Sequence, residues 1–234
     1  MLIPHEPLRQ LLLDMEHATA VCDASSEWQA TNIFKFYADV YVPYLHHHHD
    51  LEDQIFFPSV VARGAVVPPK TTADHQQLLV RMNDALAVAQ AGRSGGDQSS
   101  RAEALRSFGT KLAALRTDMF PHLAEEEELV PRLLRELKMT EQEFDAIIER
   151  IMKTFSLKNV SIALPMIVRY IRAWGGEEKT AKFIRGLPGP LRGQLGSWTA
   201  EYNRSHYGLL TDVMEGKHEA TPPARCFCCL CYWF

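Results

Sequence analysis

Apolar residues recur along this chain at intervals of three and four, and strict alternation bounded by turn residues is scarce. Steps of three and four keep side chains on one face of a helix, whereas a half-buried strand needs a period of two. The predicted class is therefore all-α. Pro4 opens a first helix that runs to about Asp23, since a proline in a first turn lacks only an N–H that has no partner there. Ser26-Glu-Trp-Gln29 has capping-box spacing and starts a second helix, to about Arg63, which Pro43 is expected to kink. After the loop 64–72 a third helix is predicted from about Thr72 to Ala91. A Gly- and Ser-rich loop follows, and Ser100-Arg-Ala-Glu103 caps a fourth helix to about Leu137. Thr140-Glu-Gln-Glu143 opens a fifth, to about Phe155. Further helical stretches lie at 162–174 and 176–187, then a turn at Leu187-Pro-Gly-Pro190 and a last helix over 191–215. The predicted organisation is an up-down-up-down four-helix bundle over 1–138, a helical extension of unassigned role over 139–219 and a cysteine-rich tail over 220–234.

Composition narrows the field. Hydrophobic residues make up 46% and charged residues 23% of the 234, enough to build a packed core. A net charge of −4 weighs against a nucleic-acid-binding surface. No apolar run approaches the roughly 18 residues of a membrane span. The start, Met1-Leu2-Ile3-Pro4-His5-Glu6, lacks the basic and apolar segments of a signal peptide. Cys22 stands apart from Cys226, Cys228, Cys229 and Cys231, and an odd count with one local cluster does not make a secreted disulfide framework. A reducing cytoplasm is the expected location. The 10 histidines are unusual, and their placement carries the chemistry.

Each of the first four helices puts one histidine on its apolar stripe. Stepping by three and four, His5 aligns with Leu8, Leu12 and Met15; His48 with Tyr41, Leu45 and Ile55; His75 with Leu79, Met82 and Leu86; His122 with Leu115, Met119 and Leu129. Two of these histidines have a carboxylate four residues on, Glu52 and Glu126, one turn away on the same face. His5 and His75 open their helices, and the other two pairs lie near the ends of theirs. In an up-down-up-down bundle those four positions share one end. Burying this polar set without partners would be very costly, and a pair of metal ions would remove the cost. Imidazole with carboxylate and open positions favours iron over calcium or magnesium, while zinc and manganese also suit the ligand types. In the alternative register, His49 and Asp53 face inwards; its stripe is largely polar, so these two are kept as a possible accessory pair. Of Glu125-Glu-Glu-Glu128 only Glu126 shares the face of His122, and the rest read as a solvated face.

These motifs resemble the haemerythrin-like, or HHE cation-binding, family. The resemblance rests on His5-Glu-Pro-Leu-Arg9, His48-His-Asp-Leu-Glu52 with Ile55-Phe-Phe-Pro58, Asp74-His75, and His122-Leu-Ala-Glu-Glu126 with Leu129-Val-Pro131, in that order. It implies a four-helix bundle with a non-haem di-iron centre that handles dioxygen, other oxidants or iron itself. The oxygen-carrying members place two histidines four apart on the third helix. Here His75 is followed by Leu79, which leaves one imidazole fewer and argues against reversible oxygen carriage.

The leading expectation is a non-enzymatic di-iron protein that senses, binds or buffers iron, dioxygen or nitric oxide. A di-iron oxidase or peroxidase, and a helical scaffold with a structural metal, are the alternatives. The tail cysteines 226, 228, 229 and 231 read either as a tail without defined role or as lipidation sites that would attach the chain to a membrane surface.

Overall fold

In the computed structural model, residues 4–94 and 96–219 are described, and among them there is helix and turn but no strand. α1 (His5–Val21) turns Leu8, Leu11, Leu12, Met15 and Ala18 inwards, all fully buried. α2 (residues 27–61) begins at Ser26, whose hydroxyl accepts the Gln29 N–H. Pro43 and Pro58 do not break it. Each follows a π-helical turn, Tyr37–Tyr41 and Glu52–Phe56, closed by Val42 N–H to Tyr37 O and Phe57 N–H to Glu52 O. The wider turn accommodates a ring that lacks an N–H and would clash with the carbonyl four residues back. Pro43, where a kink is expected, thus lies directly after a change of winding.

α3 (Pro69–Arg93) starts three residues before the predicted Thr72. α4 (Gln98–Glu136) is capped by Asp97, whose carboxylate accepts the Ser100 N–H at 2.8 Å, so Asp97 rather than Ser100 is its N-cap. α5 (Glu141–Met152) has the expected Thr140/Glu143 capping box. α6 (Leu157–Gly186) joins the two predicted stretches but breaks at Gly176, where φ of 73° suits a residue without Cβ. α7 (residues 189–214) contains a third π-helical turn, Asn203–Tyr207.

The apolar interior is layered along the helices. One cluster joins α1 to α4 around Phe34, Tyr37, Tyr41, Leu45, Met82, Phe108, Leu112 and Met119. A second, with Phe57, Val60, Leu129, Val130, Leu133 and Ile147, packs α5 across the ends of α2 and α4. The polar layer that holds the histidines lies between the two. The first cluster also takes in Met166, Tyr170, Tyr202, Tyr207, Leu210 and Val213, so α6 and α7 share the interior of α1 and α2. Asp14 on α1 anchors them, accepting from the Tyr170 and Tyr207 hydroxyls at 2.9 Å each, with the Arg169 guanidinium 3.8 Å over the Tyr207 ring.

Removing an acceptor from buried donors costs about 1–3 kcal/mol. Asp14→Ala is therefore expected to lower the urea midpoint by that equivalent, as read by circular dichroism. An unchanged midpoint would show that the two tyrosines do not depend on it. Among the described residues no helix is long and apolar enough to cross a membrane. The cysteine cluster 226–231 lies outside the described residues.

Candidate metal centre

Tyr41, Leu45, His48, His49 and Glu52 all face inwards on α2, with His48 7%, His49 1% and Glu52 7% exposed. An interior stripe in a bundle is at least 100° wide, so two adjacent positions fit within it. The His48/Glu52 register is buried, and of the alternative register His49 is buried with it, while Asp53 stays half-exposed at the edge. From the start of α1 comes His5, from the first turns of α3 His75, and from well along α4 His122 and Glu126, each 3% exposed or less. Tyr44, one turn before His48, donates to the Pro4 carbonyl at 3.2 Å and fixes the start of α1 beside α2.

The side chains form two groups. His5, His48, Glu52 and Glu126 make one, and His49, His75 and His122 the other; within each group the potential ligand atoms lie within 4.8 Å of one another. The His49 ring stacks on His75 at 4.3 Å and meets the edge of His122 at 5.6 Å. His5 and His48 meet edge-on at 5.1 Å. Glu126 spans the two groups: Oε2 is 3.4 Å from His5 Nε2, while Oε1 is 3.1 Å from His75 Nε2 and 3.4 Å from His122 Nε2. Glu52 does the same less closely, with Oε1 3.9 Å from His5 Nε2, and Oε2 3.4 Å from His48 Nε2 and 3.7 Å from His75 Nε2.

Two imidazoles are hydrogen-bonded from behind by carboxylates, and a third has one close by. His5 Nδ1 lies 3.2 Å from Glu127, which also accepts from Arg9 at 2.8 Å. His75 Nδ1 lies 2.9 Å from Asp53, and His122 Nδ1 3.7 Å from Asp74. A carboxylate on the outer nitrogen fixes the tautomer that leaves the inner lone pair free for a cation. Glu127 is therefore more than part of a solvated face, and Asp74 has a role that the spacing alone did not suggest. Asp53, paired with His49 in the alternative register, instead serves His75.

The electrostatics divide the cluster. Burial drives the His48 imidazole down to about 3 and holds His49 and His122 below the usual histidine range, so these three are neutral near pH 7. Burial also works against charge on His5 and His75, but Glu126 and Glu52 outweigh it and hold both at about 9. Burial pushes Glu52 up to about 7. It acts the same way on Glu126, but the adjacent His5 and His75 imidazoles keep that carboxyl well below the carboxylate range.

A cation site also explains what the protein alone leaves unmet. His5 Nε2, His48 Nε2, both ring nitrogens of His49, His122 Nε2, Glu52 Oε2 and Glu126 Oε2 are buried without a hydrogen-bond partner. Such groups cost about 1–3 kcal/mol each, and they gather at one layer of the core. Each of the two groups has the donors to hold a metal ion. No second imidazole stands at Leu79 on α3, but a fifth, that of His49 on α2, lies in the same layer.

Two groups of buried histidines joined by two carboxylates inside a helical core define a cation-binding protein. The profile described as Hemerythrin HHE cation binding domain matches residues 2–134, more than half of the chain, and the chain belongs to that family. No curated protein and no solved structure matches it.

Proposed function

We propose that residues 1–138 form an up-down-up-down four-helix bundle around a di-iron centre, held by His5, His48, Glu52, Glu126, His49, His75 and His122. At this centre the protein binds a small ligand, dioxygen or nitric oxide, as a cytoplasmic sensor or buffer. The carrying observation is Glu126, whose two oxygens face two different histidine groups. That is the disposition a carboxylate needs to serve a pair of ions rather than one. Mixed imidazole and carboxylate donors suit iron. Roughly nine protein donors for the roughly twelve positions of two six-coordinate ions leave space for an outside ligand.

An iron pair supplies one-electron chemistry and open coordination positions when bound. The chain's own part would be to present the neutral imidazoles of His48, His49 and His122, to give up the protons that His5 and His75 hold without metal, to offer the Glu52 and Glu126 carboxylates and to exclude bulk water. The apolar clusters on either side of the layer do the last of these. Anaerobic reconstitution is expected to give about two irons per chain. Nitric oxide added to the reduced protein should change its optical spectrum, saturating near one ligand per iron pair. One iron or none would refute the centre; two irons with no response to nitric oxide or dioxygen would refute the ligand. A di-iron oxidase or peroxidase is the second reading, favoured by a cavity of about 350 Å³ that reaches His122 and Glu126. Steady-state peroxide consumption separates it from the first.

A further inference from the structure

The cavity just mentioned opens between the start of α3 and the later turns of α4. Its inner wall holds His122 and Glu126, 3% and 1% exposed, and His122 Nε2 and Glu126 Oε2 are among the buried atoms without a hydrogen-bond partner. Its outer wall holds Lys70, Asp74, Glu125 and Glu128. The Lys70 ammonium bridges the two helices, 2.5 Å from Asp74 on its own helix and 2.6 Å from Glu125 on α4. Asp74 in turn lies 3.7 Å from His122 Nδ1. A line of groups therefore runs from solvent to the centre: Lys70, the Asp74/Glu125 carboxylate pair, His122, then Glu126.

We propose that this cleft is the port through which divalent iron reaches and leaves the centre. Asp74 and Glu125 are its transit site, and the Lys70 ammonium is the resident cation that the incoming ion displaces. The inference rests on the metal reading above. An exposed ammonium suits the task, because its side chain is 59% exposed and its charge satisfies both carboxylates. A divalent ion of the same sign can take over those oxygens and pass inwards to His122 and Glu126, which carry the nearest unmet donors. No bond other than coordination and ion pairing is made or broken.

The probe is ferrous ion alone, added anaerobically to the full chain stripped of metal, with uptake followed by stopped flow and release by a chromogenic chelator. Lys70→Met should speed both uptake and release about fivefold, roughly what two exposed ion pairs of ordinary strength amount to. The final iron content should stay at the wild-type value. Lys70→Arg keeps the charge and the reach to both carboxylates, so it should restore rates close to wild type. Lys111→Met, which removes an ion pair with Asp84 outside this cleft, should leave both rates unchanged. Wild-type rates in Lys70→Met at full occupancy would overturn the port while leaving the centre intact. Equal acceleration by Lys111→Met would overturn it as well, showing a response to net charge rather than to this cleft. Failure of the wild-type protein to take up iron would instead refute the metal reading, and the port with it.

Discussion

On the di-iron reading proposed above, Glu126→Ala is expected to leave the protein with well under one iron per chain against about two for the wild type. Glu126 faces His5 with one oxygen and His75 and His122 with the other, so its loss removes a donor from each ion at once. Truncating one imidazole removes a donor from one ion only. His49→Ala and His48→Ala are thus each expected to lower iron content by comparable amounts, because each side chain belongs to a different histidine group. Glu127→Ala takes away the brace behind His5 rather than a donor, and supports of that kind are worth about 10- to 100-fold in affinity. Metal analysis after equilibration at limiting free iron reads all four variants. Helical content by circular dichroism, expected unchanged, separates a lost ligand from a lost fold. Full iron in His49→Ala would show that the second group works with His75 and His122 alone.

The second large effect is on stability. Without ions, the layer between the two apolar clusters keeps several nitrogen and oxygen atoms buried and unpaired. An ion that binds only the folded chain adds RT ln(1 + [L]/Kd), about 2.7 kcal/mol at a hundredfold excess over Kd and about 4.1 kcal/mol at a thousandfold. At about 2–4 °C per kcal/mol for a chain of this size, the melting midpoint should rise by roughly 5–15 °C on anaerobic addition of ferrous ion. His48→Ala and His49→Ala should show a smaller rise. A wild-type midpoint indifferent to iron would place any bound metal outside the core.

What was legible beforehand was what local sequence determines. The Thr140/Glu143 box is written within four residues, and it forms as read. His5, His75 and His122/Glu126 were legible because each sits on an apolar stripe that must face inwards. The stripe through His49 is largely polar and points to an accessory role, yet an interior stripe is wide enough for two adjacent residues. The Asp97 cap competed with an equally plausible Ser100, and only the structure shows the Ser100 hydroxyl itself bound to Asp97. The π-helical turns ahead of Pro43 and Pro58 have no periodic signature. Glu127, Asp53 and Asp74 each act across to another helix or turn. Asp14 meets Tyr170 and Tyr207 from more than 150 residues away. No spacing rule reaches that far.

That long-range clasp has a consequence for how the chain is divided. The family match closes at residue 134, but the interior does not, since Met166, Tyr170, Leu210 and Val213 complete the wall behind α1 and α2. A fragment cut after the match would expose an apolar flank along the helix that carries His5. Here the stretch that is inherited as a module and the stretch that must fold as a whole are different lengths of chain.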